Sequence, residues 1–320
     1  MTGWTAVKAH GFERQRTLGL PVDVQRSLAD DRAAARDWTY PTDCDRIVRI
    51  QGLSLCQLGD PHAYGALVIG DSRAEEFAAR YAGDYAGTVD GVSLLTREGC
   101  PPLPGVGLNG SMSCPHWSAA AFQYAARSAY ARIVIVAAWP TYIGPDDNDL
   151  AATPCFAKAG RCALATGAGD RKQAVDAAFV RLAQVVRSLR AGGKTVVIVG
   201  PSPRSEAADP RRLYAAEFWS GAPKPQPIPR GEVEADAASS REALREIARS
   251  TGASFVDPIS ALCAAGPCPT AEGNLALYMN PGHFRASQMR GARFSYLDAW
   301  LGPPSTTAGR PLRGAGGEKR

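Results

Sequence analysis

From residue 64 onward the chain alternates short, continuous apolar runs with longer amphipathic ones, a rhythm that predicts strands and helices in turn. The first run predicts a strand over 66–69, followed by a helix over 73–81, a strand over 89–95, a helix over 117–130 and a strand over 133–138. In the second half Val175, Phe179, Leu182, Val186 and Leu189 recur at three- and four-residue steps, so a helix is expected over 171–191. Gly192 and Gly193 stop it. The run that follows, 195–199, is apolar enough to be covered on both faces, as parallel strands are. A helix over 233–250, a strand over 254–256 and a closing helix over 284–301 complete five units of an α/β fold built on a parallel sheet.

Two long irregular stretches, 139–170 and 201–230, interrupt the alternation, and both follow predicted strands. In open α/β sheets ligands bind at the carboxyl ends of the strands, so these loops are expected to shape a cleft. Residues 1–45 carry mixed charge and a weak helical pattern around 24–36 without a strong apolar face, and are read as an extension outside the core. The tail from 302 to 320 is rich in Gly, Pro, Thr and Arg and is expected to be disordered. The organisation expected is thus an extension over 1–45, one domain over 46–301 and the tail.

Composition narrows the function. A chain of 320 residues with 45% hydrophobic content can bury one substantial core or two small ones, and one is preferred. The net charge is +5, and the 36 Lys and Arg are scattered rather than run together with aromatics, so no nucleic-acid partner is implied. No stretch approaches the roughly 18 to 20 apolar residues that span a bilayer, and no secretion signal opens the chain.

The eight cysteines fall into sequential couples: Cys44 with Cys56, Cys100 with Cys114, Cys155 with Cys162, and Cys263 with Cys268. None shows C-x-x-C spacing and the four histidines are far apart, so no metal site is expected, and no cofactor. Four short-loop disulfides are the economical reading; free thiols in a cytosolic protein are the alternative. Disulfides without an export signal predict an extracytoplasmic chain cut from something longer.

The chemistry concentrates at the first buried strand, which runs into Gly70-Asp71-Ser72-Arg73, a serine at a strand-to-helix corner. A serine hydroxyl becomes a useful nucleophile when a neutral imidazole takes its proton. Of His10, His62, His116 and His283, only His283 is expected to open a helix after the final strand, facing the end of the first. Each residue alone reads more simply as a helix-start residue, Ser72 as an N-cap; their conjunction favours chemistry.

These residues carry a resemblance. Gly70-Asp71-Ser72 after a buried strand, with Asn280-Pro281-Gly282-His283 near the end, resembles the SGNH or GDSL hydrolase family. The chain is most similar to the periplasmic SGNH domain fused behind the membrane domain of acyltransferase 3 type carbohydrate O-acyltransferases. Supporting stretches are Cys56-Gln57-Leu58-Gly59, Gly99-Cys100-Pro101-Pro102-Leu103, residues 133–142, Gly193 to Pro203, and Leu277-Tyr278 up to Gly291-Ala292. The resemblance implies a flavodoxin-like three-layer α/β/α sandwich with a five-stranded parallel sheet. It further implies serine-based acyl transfer, a carbohydrate acceptor and an acyl donor as partners, and a periplasmic site tethered to the inner membrane. Residues 1–45 would then link to an N-terminal membrane acyltransferase domain.

Three departures from the family pattern bear on activity. Asn280 stands where an aspartate is usual; it can orient His283 but brings no charge. The oxyanion hole retains the amides of Ser72 and Gly99, while Ala138-Trp139-Pro140 replaces the family's asparagine donor. Arg73 follows the nucleophile where histidine is common, and is read either as a substrate contact or as a solvated first-turn residue. Trp139 and Tyr142 are expected either as a platform for a sugar ring or as core. The expected activity is acylation of a surface or secreted glycan through Ser72, His283 and Asn280. The alternatives are an O-acyl esterase and a weakly catalytic glycan-binding domain.

Overall fold

The computed structural model describes residues 13–60, 64–82, 91–143, 153–165, 167–220, 226–273 and 275–298. His10, His62, Val89 and the 302–320 tail lie outside these residues. A seven-stranded sheet forms the centre. Its strands are β1 (Arg46–Ile50), β2 (Leu53–Leu58), β3 (Ala66–Gly70), β4 (Val92–Thr96), β5 (Arg132–Val136), β6 (Thr195–Val199) and β7 (Ser254–Val256). Their order is β1-β2-β4-β3-β5-β6-β7.

The five strands β4-β3-β5-β6-β7 are parallel, and in this order they are the flavodoxin-like 2-1-3-4-5 arrangement. The expected sheet is corrected at one edge. β1 and β2 form an antiparallel hairpin, and β2 adds antiparallel to β4, so the sheet is mixed and two strands wider.

Alternation along each parallel strand builds two cores. Leu67, Ile69, Ile133, Ile135, Val196 and Ile198 point to one face, where they meet helices α2 (Ser113–Arg127) and α3 (Ala168–Ala191). Ala66, Val68, Val134, Val136, Val197 and Val199 point to the other. There they meet the short helices Ser72–Glu75 and Phe77–Tyr81 and the 258–297 region. Burial on both faces is what the apolar runs required.

Helix α5 (Arg230–Thr251) follows α4 (Pro210–Ser220), a helix within one of the expected irregular stretches. The other stretch holds a hairpin, Pro154–Lys158 with Arg161–Leu164, joined to Val106–Leu108 in a small three-stranded sheet.

The segment read as lying outside the core is packed onto it from α1 (Val22–Ala34) onward. Val24, Leu28 and Ala34 are buried, and α1 lies against α4. Arg285, itself buried, clamps the junction by pairing with Asp30 at 2.7 Å and Asp37 at 2.8 Å.

The expected closing helix over 284–301 is also corrected. Residues Tyr278–Asn280 and His283–Phe284 pair antiparallel around a turn, followed by a single turn of helix at Ala286–Met289 and a 3-10 helix at Ala292–Leu297. Pro281 and Gly282 break the helical rhythm before it can start. Buried Arg80 holds this region through Asp298, at 2.7 Å, and the Met289 carbonyl, also at 2.7 Å.

All four expected disulfides form, Cys44–Cys56, Cys100–Cys114, Cys155–Cys162 and Cys263–Cys268. No helix among the described residues is long and apolar enough to cross a membrane.

Candidate active site

The corner after β3 is set by sterics at Gly70. A Cβ there would lie 2.2 Å from the Val136 carbonyl oxygen and 2.7 Å from the Ala74 Cβ, so β3 and β5 can approach only with glycine in this place. Asp71 then caps the following helix, its carboxylate accepting the Arg73 N–H at 2.8 Å. Capping therefore falls to Asp71 and not to Ser72, whose hydroxyl is directed elsewhere.

Ser72 Oγ lies 2.8 Å from Nε2 of His283, and Nδ1 of His283 lies 3.0 Å from Oδ1 of Asn280. The same Oδ1 accepts the backbone N–H of Gly282 and of His283, each at 2.9 Å. Two backbone donors fix which amide atom is oxygen, and that oxygen obliges Nδ1 to carry the ring proton. Nε2 is left as the acceptor for the serine hydroxyl. His283 reaches this position from the turn of the 278–284 pairing, not from a helix start, and Ser205 N–H holds the turn at the Pro281 carbonyl, 3.1 Å away.

Burial lowers the His283 pKa to about 3, aided by the positive charge of Arg73. Asn280 supplies no countercharge, so the ring is neutral at ordinary pH. Arg73 is buried, not solvated, and pairs with Glu76 at 3.0 Å. Desolvation outweighs that pairing and raises the Glu76 pKa to about 8; Glu75, likewise desolvated, rises to about 7.

Beside His283 opens a cleft walled by Arg73, Ala137, Ala138, Pro140, Thr141 and Ser202, at the carboxyl ends of β5 and β6. Arg204 borders it, fixed by two bonds to Asp236 at 2.7 and 2.6 Å. Gly99 occupies a tight turn just beyond β4 with φ +67, and is not among the residues that wall this cleft. The Ala138 N–H donates to Asp71 at 2.9 Å, so that amide is already engaged.

The sugar-platform expectation for Trp139 and Tyr142 is corrected by burial. Trp139 is 0% exposed and donates from Nε1 to the Val199 carbonyl; Tyr142 is 3% exposed and donates its hydroxyl to Asp71. Both are interior struts that brace the strand ends. A residue that sequence reasoning missed lies beside the site: Trp38, partly buried, meets the His283 ring edge to face, centroids 5.5 Å apart. An aromatic two residues from Tyr40, in a polar stretch, was its only signal.

A serine, a neutral imidazole and an orienting amide stand in hydrogen-bonded series at the carboxyl edge of a flavodoxin-order sheet, an arrangement suited to nucleophilic chemistry. A model of the SGNH domain, the form fused to AT3 domains, matches residues 40–290, and the chain belongs to that family. No curated protein matches it. Among solved structures it is similar to the periplasmic domain of a lipopolysaccharide acetyltransferase from Salmonella ser. Paratyphi A. That pair shares 15% identity over 74% of this chain and 82% of that one, with a TM-score of 0.48. It is also similar to a Bacteroides fragilis protein described as an acylhydrolase, at 12% identity over 76% and 87% of the two chains and a TM-score of 0.33.

Proposed function

We propose that the chain transfers an acyl group through Ser72, with His283 as base and then acid and Asn280 as the residue that orients the ring. The observation that carries this reading is the continuous hydrogen-bond chain Ser72 to His283 to Asn280, at 2.8 and 3.0 Å. Ser72 Oγ attacks the donor carbonyl, Nε2 takes the hydroxyl proton, and that proton leaves with the departing group. The acyl-enzyme is then attacked by an acceptor hydroxyl, whose proton passes to Nε2 and on to Ser72 Oγ as the acyl–Ser72 bond breaks.

The acceptor in this reading is a hydroxyl of a surface or secreted carbohydrate, and water in its place makes the site an esterase. Membership of a family whose members are fused to AT3 domains supports a membrane acyltransferase domain as the partner, with residues preceding 46 as the link. Four disulfides support a periplasmic setting. The amides of Ser72 and Gly99 are proposed for the developing oxyanion. Arg73 is proposed to touch substrate from the cleft wall.

The test is labelling by a serine-reactive phosphonate and release of p-nitrophenol from p-nitrophenyl acetate, in the natural chain and in Ser72→Ala. Labelling and burst release that vanish in Ser72→Ala are expected. Labelling that survives the substitution, or is absent throughout, overturns the proposal.

A further inference from the structure

We infer that Trp38 is the wall of the acceptor subsite, a partly exposed aromatic face against which a pyranose ring lies while one of its hydroxyls reaches His283. The inference rests on the acyl-transfer reading above and names what the second half-reaction takes.

Three observations carry it. Trp38 is only partly buried, and its ring meets the imidazole that engages Ser72 through Nε2. A ligand resting on it would therefore lie beside the imidazole.

The position is also built. On one side of Trp38, Asp37 accepts Arg285 Nε at 2.8 Å and the Ser287 hydroxyl at 2.5 Å, and its carbonyl accepts the Ala286 N–H at 3.0 Å. On the other, the Tyr40 hydroxyl bonds Thr96 Oγ1 at 2.8 Å, at the carboxyl end of β4. The strap 37–40 is thus pinned at both sides of the site, and Trp38 is the residue it presents there.

Finally, the site has two sides. The cleft beside His283, where Ala137, Ala138 and Pro140 stand with Arg73, Thr141, Ser202 and Arg204, does not include Trp38, and we assign it to the acyl donor. Trp38 is left for the other reactant. An indole offers an apolar face and an N–H donor at its rim, which match the C–H face and peripheral hydroxyls of a pyranose and not a charged or extended acceptor.

The experiment separates binding from turnover. In a Ser72→Ala background, affinities for the methyl pyranosides of glucose, galactose, mannose and rhamnose are measured by saturation-transfer NMR, with Trp38 intact, Trp38→Phe and Trp38→Ala. Binding of at least one pyranoside is expected, weakened about tenfold or more by Ala and largely kept by Phe, with melting temperature reporting the strap. Affinity independent of residue 38, or no pyranoside bound, overturns the inference. So does a Trp38→Ala defect that, with Ser72 intact, falls on p-nitrophenyl acetate turnover while pyranoside binding is kept, which would assign Trp38 to the donor. If Ser72 in the natural chain resists the phosphonate while pyranoside binding still needs Trp38, the acyl-transfer reading alone fails.

Discussion

Asn280 Oδ1 gathers three N–H groups, from Gly282, from the backbone of His283 and from its ring, all within 3.0 Å. An aspartate in this place would accept the same three bonds and add a negative charge, so the geometry of the turn does not depend on which of the two is present. What differs is the stability of the imidazolium that the proposed proton transfer from Ser72 would form.

Asn280→Asp is therefore expected to raise esterase turnover on p-nitrophenyl acetate by at least about tenfold; removing the carboxylate from a serine-protease triad costs about 10⁴-fold. The added charge also favours the protonated ring, so the acid limb of kcat/KM moves to higher pH. Unchanged turnover and an unmoved limb would mean that another carboxylate already serves His283.

In the natural chain the acid limb belongs far below the usual histidine range. With the His283 pKa near 3, Nε2 stays free to accept a proton down to about pH 4. A pH profile of kcat/KM that instead falls near pH 6 would show the ring to be more solvated or more compensated than its surroundings imply.

Gly70→Ala tests the packing that places Ser72. A Cβ 2.2 Å from the Val136 carbonyl forces β3 and β5 apart, and about 3 kcal/mol of stability should be lost. Chemical denaturation measures it; a loss under about 0.5 kcal/mol would show that the corner yields easily.

How much of this was legible before the structure follows from burial. β3, β5 and β6 are covered on both faces, so their apolar runs announced them, and Ser72 came with β3. The hairpin of β1 and β2 was missed because Arg46 to Ile50 is a half-exposed alternating strand inside a charged stretch. The closing segment is not one helix because Phe284, Met289 and Phe294, five residues apart, bury from separate short elements and not from one helical face. Trp139 and Trp38 show the remaining gap. Sequence marks an aromatic as large and apolar, but which tryptophan is a strut and which a surface depends on contacts between distant segments.

The α1–α4 contact should make stability pH-dependent. Asp31 is buried near Glu217, whose Oε1 takes the Ser27 hydroxyl at 2.8 Å, and burial with that neighbouring charge raises the Asp31 pKa from 3.8 to about 8. A carboxyl whose native pKa exceeds its unfolded value contributes fully below about pH 4, and the contribution drains away as pH climbs towards 8. Glu75 and Glu76 share this direction, while His283, depressed from 6.5 to about 3, opposes it by costing stability as pH falls. Melting temperature is expected to decline from pH 5 to pH 8, and less steeply in Asp31→Asn. Parallel slopes for the two proteins would rule the carboxyl out.

The Cys100–Cys114 bridge closes a loop 14 residues long between the turn beyond β4 and α2. Replacing both cysteines by alanine should cost about 3 kcal/mol. Mass analysis under reductant should show a gain of eight hydrogen atoms, two for each of the four bridges. A chain whose mass is unchanged by reductant would place it in a reducing compartment.

The two ends of the sheet bear on how the protein behaves when crowded. β1, the strand at one margin, carries Arg46 and Arg49 along an otherwise inviting row of unpaired amides, and β7 at the other is only three residues long. Charge on one margin and brevity on the other deny a template to a passing strand. The domain is thereby equipped to stay dispersed at high local concentration, its sheet closed to further strands at both margins.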